Sequence, residues 1–270
     1  MGAERDLRSL ATRATALLVG AILALAGLHS TVEAWRWHLH PSIREFANLG
    51  FEANLGTWFS STQLAALAAV LLALRALELH RTPGSPKARW WLFLAAGALF
   101  LSADETGRIH EMVGNLVAQA IREAEPGSLL AWPGTWYRSY AWELAYLPVA
   151  LPAAVLALRF LHRELGDLGR WPLLGVAVFL LGAVGLDMLE GWTGQERFGT
   201  VRLETDGAVL PVDVLLVEET LEMLGVTLVL SACLHHAARV AGRLLEGTVE
   251  SPSSGEEPSG VEAPTERRPE

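Results

Sequence analysis

Six apolar runs, each close to the length a helix needs to cross a bilayer, constrain this chain more than any other feature. A hydrocarbon core of about 30 Å takes roughly 20 helical residues to span. The runs lie near Thr12–Thr31, Gly56–Leu77, Ala88–Glu111, Tyr140–Leu161, Trp171–Trp192 and Val212–Leu234. Ala, Leu, Gly and Val dominate them, and turn signals such as Pro83-Gly84-Ser85-Pro86 fall between. Pro148 and Pro152 lie inside the fourth run, where a kink is tolerable if neighbours satisfy the freed carbonyls. The expected fold is all-α: a polytopic membrane helix bundle of about six transmembrane helices over residues 1–246. Residues 247–270 are rich in Glu, Pro, Ser and Gly and have no aromatic residue, which predicts a disordered acidic tail.

The first run has a rival reading. Arg5, Arg8 and Arg13 precede an apolar stretch ending in Ala24-Leu25-Ala26, the pattern of a signal peptide. The stretch is long enough to span and five more follow it, so a retained helix is expected.

Basic residues set the orientation. With the N-terminus inside, inner segments carry fourteen Lys and Arg and outer segments seven. Both termini are therefore predicted cytoplasmic, and the location a bacterial inner (plasma) membrane. Trp35–Phe51, polar and aromatic, reads as a short helix lying on the outer interface. The formal charge of −9 owes much to the tail glutamates, and no basic stripe suits nucleic acid. Membrane lipids are the expected partners, and protein partners stay open. The single cysteine, Cys233, excludes an intramolecular disulfide.

Three predicted spans carry acidic residues at comparable depth. The third ends in Ser102-Ala103-Asp104-Glu105-Thr106-Gly107-Arg108-Ile109-His110-Glu111, the fifth in Asp187-Met188-Leu189-Glu190, and the sixth begins with Glu218-Glu219-Thr220-Leu221-Glu222. Asp104 lies about 21 Å beyond Trp90, and Asp187 about 24 Å beyond Trp171, by helical rise. Eight carboxylates thus gather towards the outer face with Arg108 as their one cation. Two carboxylates 5 Å apart repel by about 3 kcal/mol at an effective dielectric near 20. Proton sharing, a water-filled vestibule or a bound cation would relieve this.

Helical phase places Asp104, Arg108 and Glu111 on one face, Asp187 with Glu190, and Glu222 with Glu218 or Glu219. His110 cannot join Asp104 on a regular helix unless Gly107 marks a break, which makes it the weaker member by geometry. His29 and Glu33 at the end of the first run, and Glu143 at the start of the fourth, read as interfacial polar residues. His80, His162, His235 and His236 fall on the inner side, away from this site.

Several motifs are missing. His110-Glu111-Met112-Val113-Gly114 lacks the second histidine of HExxH, and no Glu-x-x-His pair occurs. Glu218-Glu219 is similar to the EExxxR motif of intramembrane glutamic proteases of the CAAX-protease type, but Met223 stands where the arginine belongs.

Ser102-x-Asp104-Glu105…His110-Glu111 and Glu218-Glu219-x-x-Glu222-Met223 together resemble segments of uncharacterised bacterial multi-pass membrane proteins, over about Trp90–Leu234. The resemblance implies a membrane location and no established activity.

The leading expectation is a membrane-embedded metal-dependent enzyme, a hydrolase or oxidoreductase acting on a lipid or membrane-anchored substrate. Asp104, Glu111, Asp187, Glu190, Glu219 and Glu222 would hold a divalent metal ion. His110, Arg108, Glu105 and Glu218 would serve catalysis. A proton- or cation-coupled transporter and a scaffold whose clusters only lock helices together are the alternatives.

Overall fold

The computed structural model describes residues 2–51, 53–129, 131–132, 142–186, 188, 200–205 and 208–249. Helix α1 (Gly2–Ala34) is followed by the short α2 (Pro41–Ala47), then α3 (Leu55–Arg81), α4 (Lys87–Gly107) and α5 (Ile109–Glu123). Next come α6 (Trp142–Leu165), a 3₁₀ turn over Gly166–Leu168, α7 (Arg170–Leu180) and a π-helical turn over Leu181–Leu186. Strands β1 (Thr200–Thr205) and β2 (Ala208–Asp213) form an antiparallel hairpin, and α8 (Val214–Val249) closes the described chain.

The architecture is helical, as the hydrophobic runs dictate. Three helical segments, Gly2–Ala34, Leu55–Arg81 and Trp142–Leu168, are long and apolar enough to cross a membrane, and Arg170–Leu186 is a shorter apolar one. In the most apolar window of Trp142–Leu168 only 6% of residues are buried, so Val149, Leu151, Val155 and Leu156 form an apolar exterior. A water-soluble helix would hide such a face. Leu10, Leu17 and Leu23 on α1 and Phe93, Leu99 and Phe100 on α4 are likewise exposed.

Local chemistry sets the helix ends. Asn54 caps α3 by accepting the Thr57 N–H at 2.8 Å, and Asp213 caps α8 by accepting the Leu216 N–H at 3.2 Å. Helix α6 runs unbroken through Pro148 and Pro152. The short helix expected within Trp35–Phe51 forms over Pro41–Ala47, with Ile43 and Phe46 exposed.

Packing gathers α3, α4, α6 and α8 around one apolar core that includes Leu67, Leu71, Trp91, Ala95, Leu161, Leu165, Leu230 and Cys233. A second core joins Ile22 and Leu25 of α1 to Leu49 and to Met223 of α8. Ion pairs brace one end of the bundle: Lys87 to Glu164 at 2.9 Å, and Arg239 to Asp167 at 2.7 Å. Glycines let α7 lie directly on α8. A Cβ at Gly175 would stand 2.7 Å from the Gly225 carbonyl oxygen, and one at Gly182 would stand 2.9 Å from that of Glu218.

Three sequence expectations change here. The third run does not continue as one helix to Glu111: α4 stops at Gly107, Arg108 turns left-handed (φ 53°, ψ 40°), and α5 starts afresh. The fifth run leaves α-helical geometry at Leu181 for the π turn. The sixth opens with a strand, because Val212 and Asp213 pair with Val201 and Thr200. The predicted disordered tail lies outside the described residues from residue 250 onward, while its first residues, up to Val249, continue α8.

Candidate functional site

The break at Arg108 brings together two residues that a continuous helix would hold apart. Asp104, in the last turn of α4, is buried. Its Oδ1 accepts the His110 backbone N–H at 2.7 Å, capping α5 from the preceding helix, and its Oδ2 lies 3.2 Å from His110 Nδ1. Tyr146 of α6 directs its hydroxyl to the same Asp104 Oδ1 at 3.5 Å. Trp142 sets its ring edge-on to the His110 imidazole, with centroids 5.7 Å apart, and packs on Tyr146 in the same manner. The first turn of α6 therefore walls the Asp104–His110 pair, and the buried Glu143 stands in that turn.

Arg108 does not join Asp104 through its side chain. It forms an ion pair with Glu111, and its backbone N–H donates to the Asp104 carbonyl at 2.7 Å. The face expected to unite Asp104, Arg108 and Glu111 is thus split by the left-handed residue. His110, ranked lower by helical phase, becomes the side chain nearest Asp104 for that same reason.

The His110 pKa is raised above its ordinary 6.5. Burial is the largest single influence and works the other way, but the Asp104 hydrogen bond and charge, with Glu111 and Glu105 behind them, outweigh it. Glu105 thus acts on His110 through space.

Glu218 and Glu222 flank the π turn, where Gly182 approaches the Glu218 carbonyl and the Glu222 Cγ. Glu219 begins the same turn of α8. Asp187 and Glu190, the two expected ligands of the fifth run, lie outside the described residues. Among the described residues, no group of three or more His, Cys, Asp or Glu converges on a point that could hold a metal ion. Asp104, Glu111, Glu219 and Glu222 therefore do not form one metal centre by themselves.

Sequence reasoning missed a polar junction at the end of α1. His29, 1% exposed, accepts the Leu49 N–H on Nδ1 at 3.0 Å, so its Nε2 carries the proton donated to Asp213 Oδ2 at 2.9 Å. Glu33, one turn on, accepts from Asn48 Nδ2 at 2.6 Å, and Asn48 in turn accepts the Gly50 N–H at 2.7 Å. The i, i+4 spacing of His29 and Glu33 was legible. Their partners were not: Asn48 lies in a loop, and Asp213 was read as the start of the sixth helical run but closes a strand.

Comparison with known proteins gives one family. A family model described as a domain of unknown function, DUF8692, matches residues 14–237, and the chain belongs to that family. No curated protein and no solved structure matches the chain.

Proposed function

We propose that this member of the DUF8692 family is a six-span protein of a bacterial inner membrane, with both termini cytoplasmic, that carries an acid–base site at its outer face. In this reading His110 is the proton-exchanging group, and the substrate is a lipid or a membrane-anchored molecule.

The observation that carries the reading is the Asp104–His110 pair. Asp104 holds Nδ1, which fixes the ring and leaves Nε2 to exchange a proton with a bound molecule. A buried carboxylate, oriented by the His110 N–H and the Tyr146 hydroxyl, also stabilises the imidazolium formed when His110 takes up a proton. Burial works against its charge, but the Asp104 hydrogen bond and charge raise the His110 pKa above its ordinary value, which makes the ring a stronger proton acceptor. Arg108, at the rim beside Glu111, supplies a cation for an anionic head group. The exposed apolar faces of α1, α4 and α6 support the membrane setting. The excess of Lys and Arg on alternate connections supports the orientation.

The test is a lipid-conversion assay. The purified chain is incubated with extracted bacterial lipids, and products are followed by mass spectrometry beside folded Asp104→Asn and His110→Gln proteins. A lipid consumed by wild type and spared by both variants supports the reading. A lipid pool left unchanged by folded wild type, or changed equally by the variants, refutes it. Orientation is read separately by introducing single cysteines into Cys233→Ser protein: position 115 should label from outside and position 84 from inside.

A further inference from the structure

Polar residues wind along α8, buried at Thr227 and half-buried at Glu219, Ser231 and His235. Glu219, Thr227, Ser231 and His235 fall on one row at steps of four, interrupted only by Met223. Each step of four advances about 40° round a helix of 3.6 residues per turn, so the row rotates as it descends. It meets a different neighbour at each level. Thr227 Oγ1 accepts from Gln63 Nε2 of α3 at 2.7 Å. One turn further, the Ser231 hydroxyl lies 2.9 Å from that of Thr15 on α1, and beyond it His235 Nε2 lies 3.3 Å from the Thr12 hydroxyl. His235 Nδ1 closes back on the Ser231 carbonyl at 2.8 Å. From Glu219 to His235 the row covers about 24 Å of helix axis, most of a 30 Å hydrocarbon core.

The level of Gln63 holds a second, independent sign. Gln63 is 1% exposed and Ser60, one turn away on α3, is 6% exposed. Neither Gln63 Oε1 nor Ser60 Oγ has a hydrogen-bond partner. Ser60 does not fold back on its own helix as Thr62 does, whose hydroxyl donates to the Trp58 carbonyl at 2.7 Å. A buried amide oxygen and a hydroxyl left unmet within a membrane carry a heavy desolvation cost. One water between them relieves both, donating to Oε1 and exchanging a hydrogen bond with Oγ.

We propose that this row is a hydrated proton path through the bundle between α1, α3 and α8, with an internal water held by Ser60 and Gln63. Its relay groups are water and the Ser and Thr hydroxyls, with the Gln63 amide holding the water in place, and it ends at the Thr12–His235 pair. One proton enters as another leaves, only O–H and N–H bonds are exchanged along the way, and no redox partner is required. The inference is independent of the acid–base reading of His110, because it uses none of the same residues.

The test uses the full chain reconstituted into phosphatidylethanolamine–phosphatidylglycerol vesicles with a pH-sensitive dye inside. A potassium gradient with valinomycin drives protons. Wild-type vesicles are expected to change internal pH at least about tenfold faster than protein-free ones, and Gln63→Leu or Ser231→Ala to return the rate to background. Ser60→Ala, which deletes one hydroxyl and keeps the packing, serves where Gln63→Leu does not fold, and it is expected to slow the flux severalfold. Wild-type vesicles no faster than protein-free ones overturn the proposal. So do folded Gln63→Leu and Ser60→Ala proteins that conduct as well as wild type.

Discussion

His110 Nδ1 stands 3.2 Å from Asp104 Oδ2, although the two residues belong to separate helices joined by a single left-handed residue, Arg108. The contact has a pH signature. His110 titrates above its ordinary 6.5: burial opposes its charge, but the Asp104 bond and charge prevail. A raised imidazole adds stability that is complete below the unfolded-state value and is lost as pH rises through the folded one. Wild-type protein in detergent should therefore lose thermal stability as pH climbs above about 6.5, while Asp104→Asn should show a flatter profile and a lowered His110 pKa by NMR. A His110 pKa unmoved by Asp104→Asn would contradict the contact.

Arg108 tests the break itself. Left-handed backbone costs a non-glycine residue roughly 1–2 kcal/mol, and the half-exposed pair with Glu111 returns about 0–1 kcal/mol. Arg108→Gly should thus be close to neutral in chemical denaturation. Arg108→Val, β-branched and without the ion pair, should be less stable than Arg108→Gly by about 1–2 kcal/mol. Equal stabilities would mean that α4 and α5 do not meet through a left-handed residue.

The α7–α8 contact is set by missing side chains. Gly175→Ala would press a methyl to 2.7 Å from the Gly225 carbonyl oxygen, a backbone atom that cannot step aside. It should destabilise the protein by about 1–3 kcal/mol. Gly97→Ala meets nothing within 4 Å and should be neutral or slightly stabilising, which makes it the matched control.

His29 and Asp213 should behave as a coupled pair. His29→Ala leaves the buried Leu49 N–H unmet and should cost about 1–3 kcal/mol. Asp213→Ala removes the cap of α8, for about 1 kcal/mol. The double variant should lose less than the sum of the two, since the 2.9 Å contact is lost only once. Strict additivity would show that the junction carries no coupling.

Much of this was written in the hydrophobic pattern. Runs of twenty apolar residues become helices because only internally bonded backbone survives in hydrocarbon, and α1, α3 and α6 follow their predicted runs within a few residues at most of their ends. Element interiors were legible, and breaks were legible only in part: Gly107 was visible as a possible break, whereas Gly182 read as a helical small residue. The left-handed Arg108 and the π turn arise because Asp104 captures the His110 N–H and because Gly182 lets α7 close on α8.

The candidate site divides in the same way. Composition and periodicity alone determined that acidic residues collect at the ends of particular helices, since a carboxylate within an apolar run is visible wherever the chain folds. Which carboxylate meets which partner was decided by tertiary structure. Asp104 meets His110 across a break, and His29 meets Asp213 from 184 residues away. Such pairings depend on how helices pack and where backbone N–H groups are left unpaired, and a local sequence period carries no information about either.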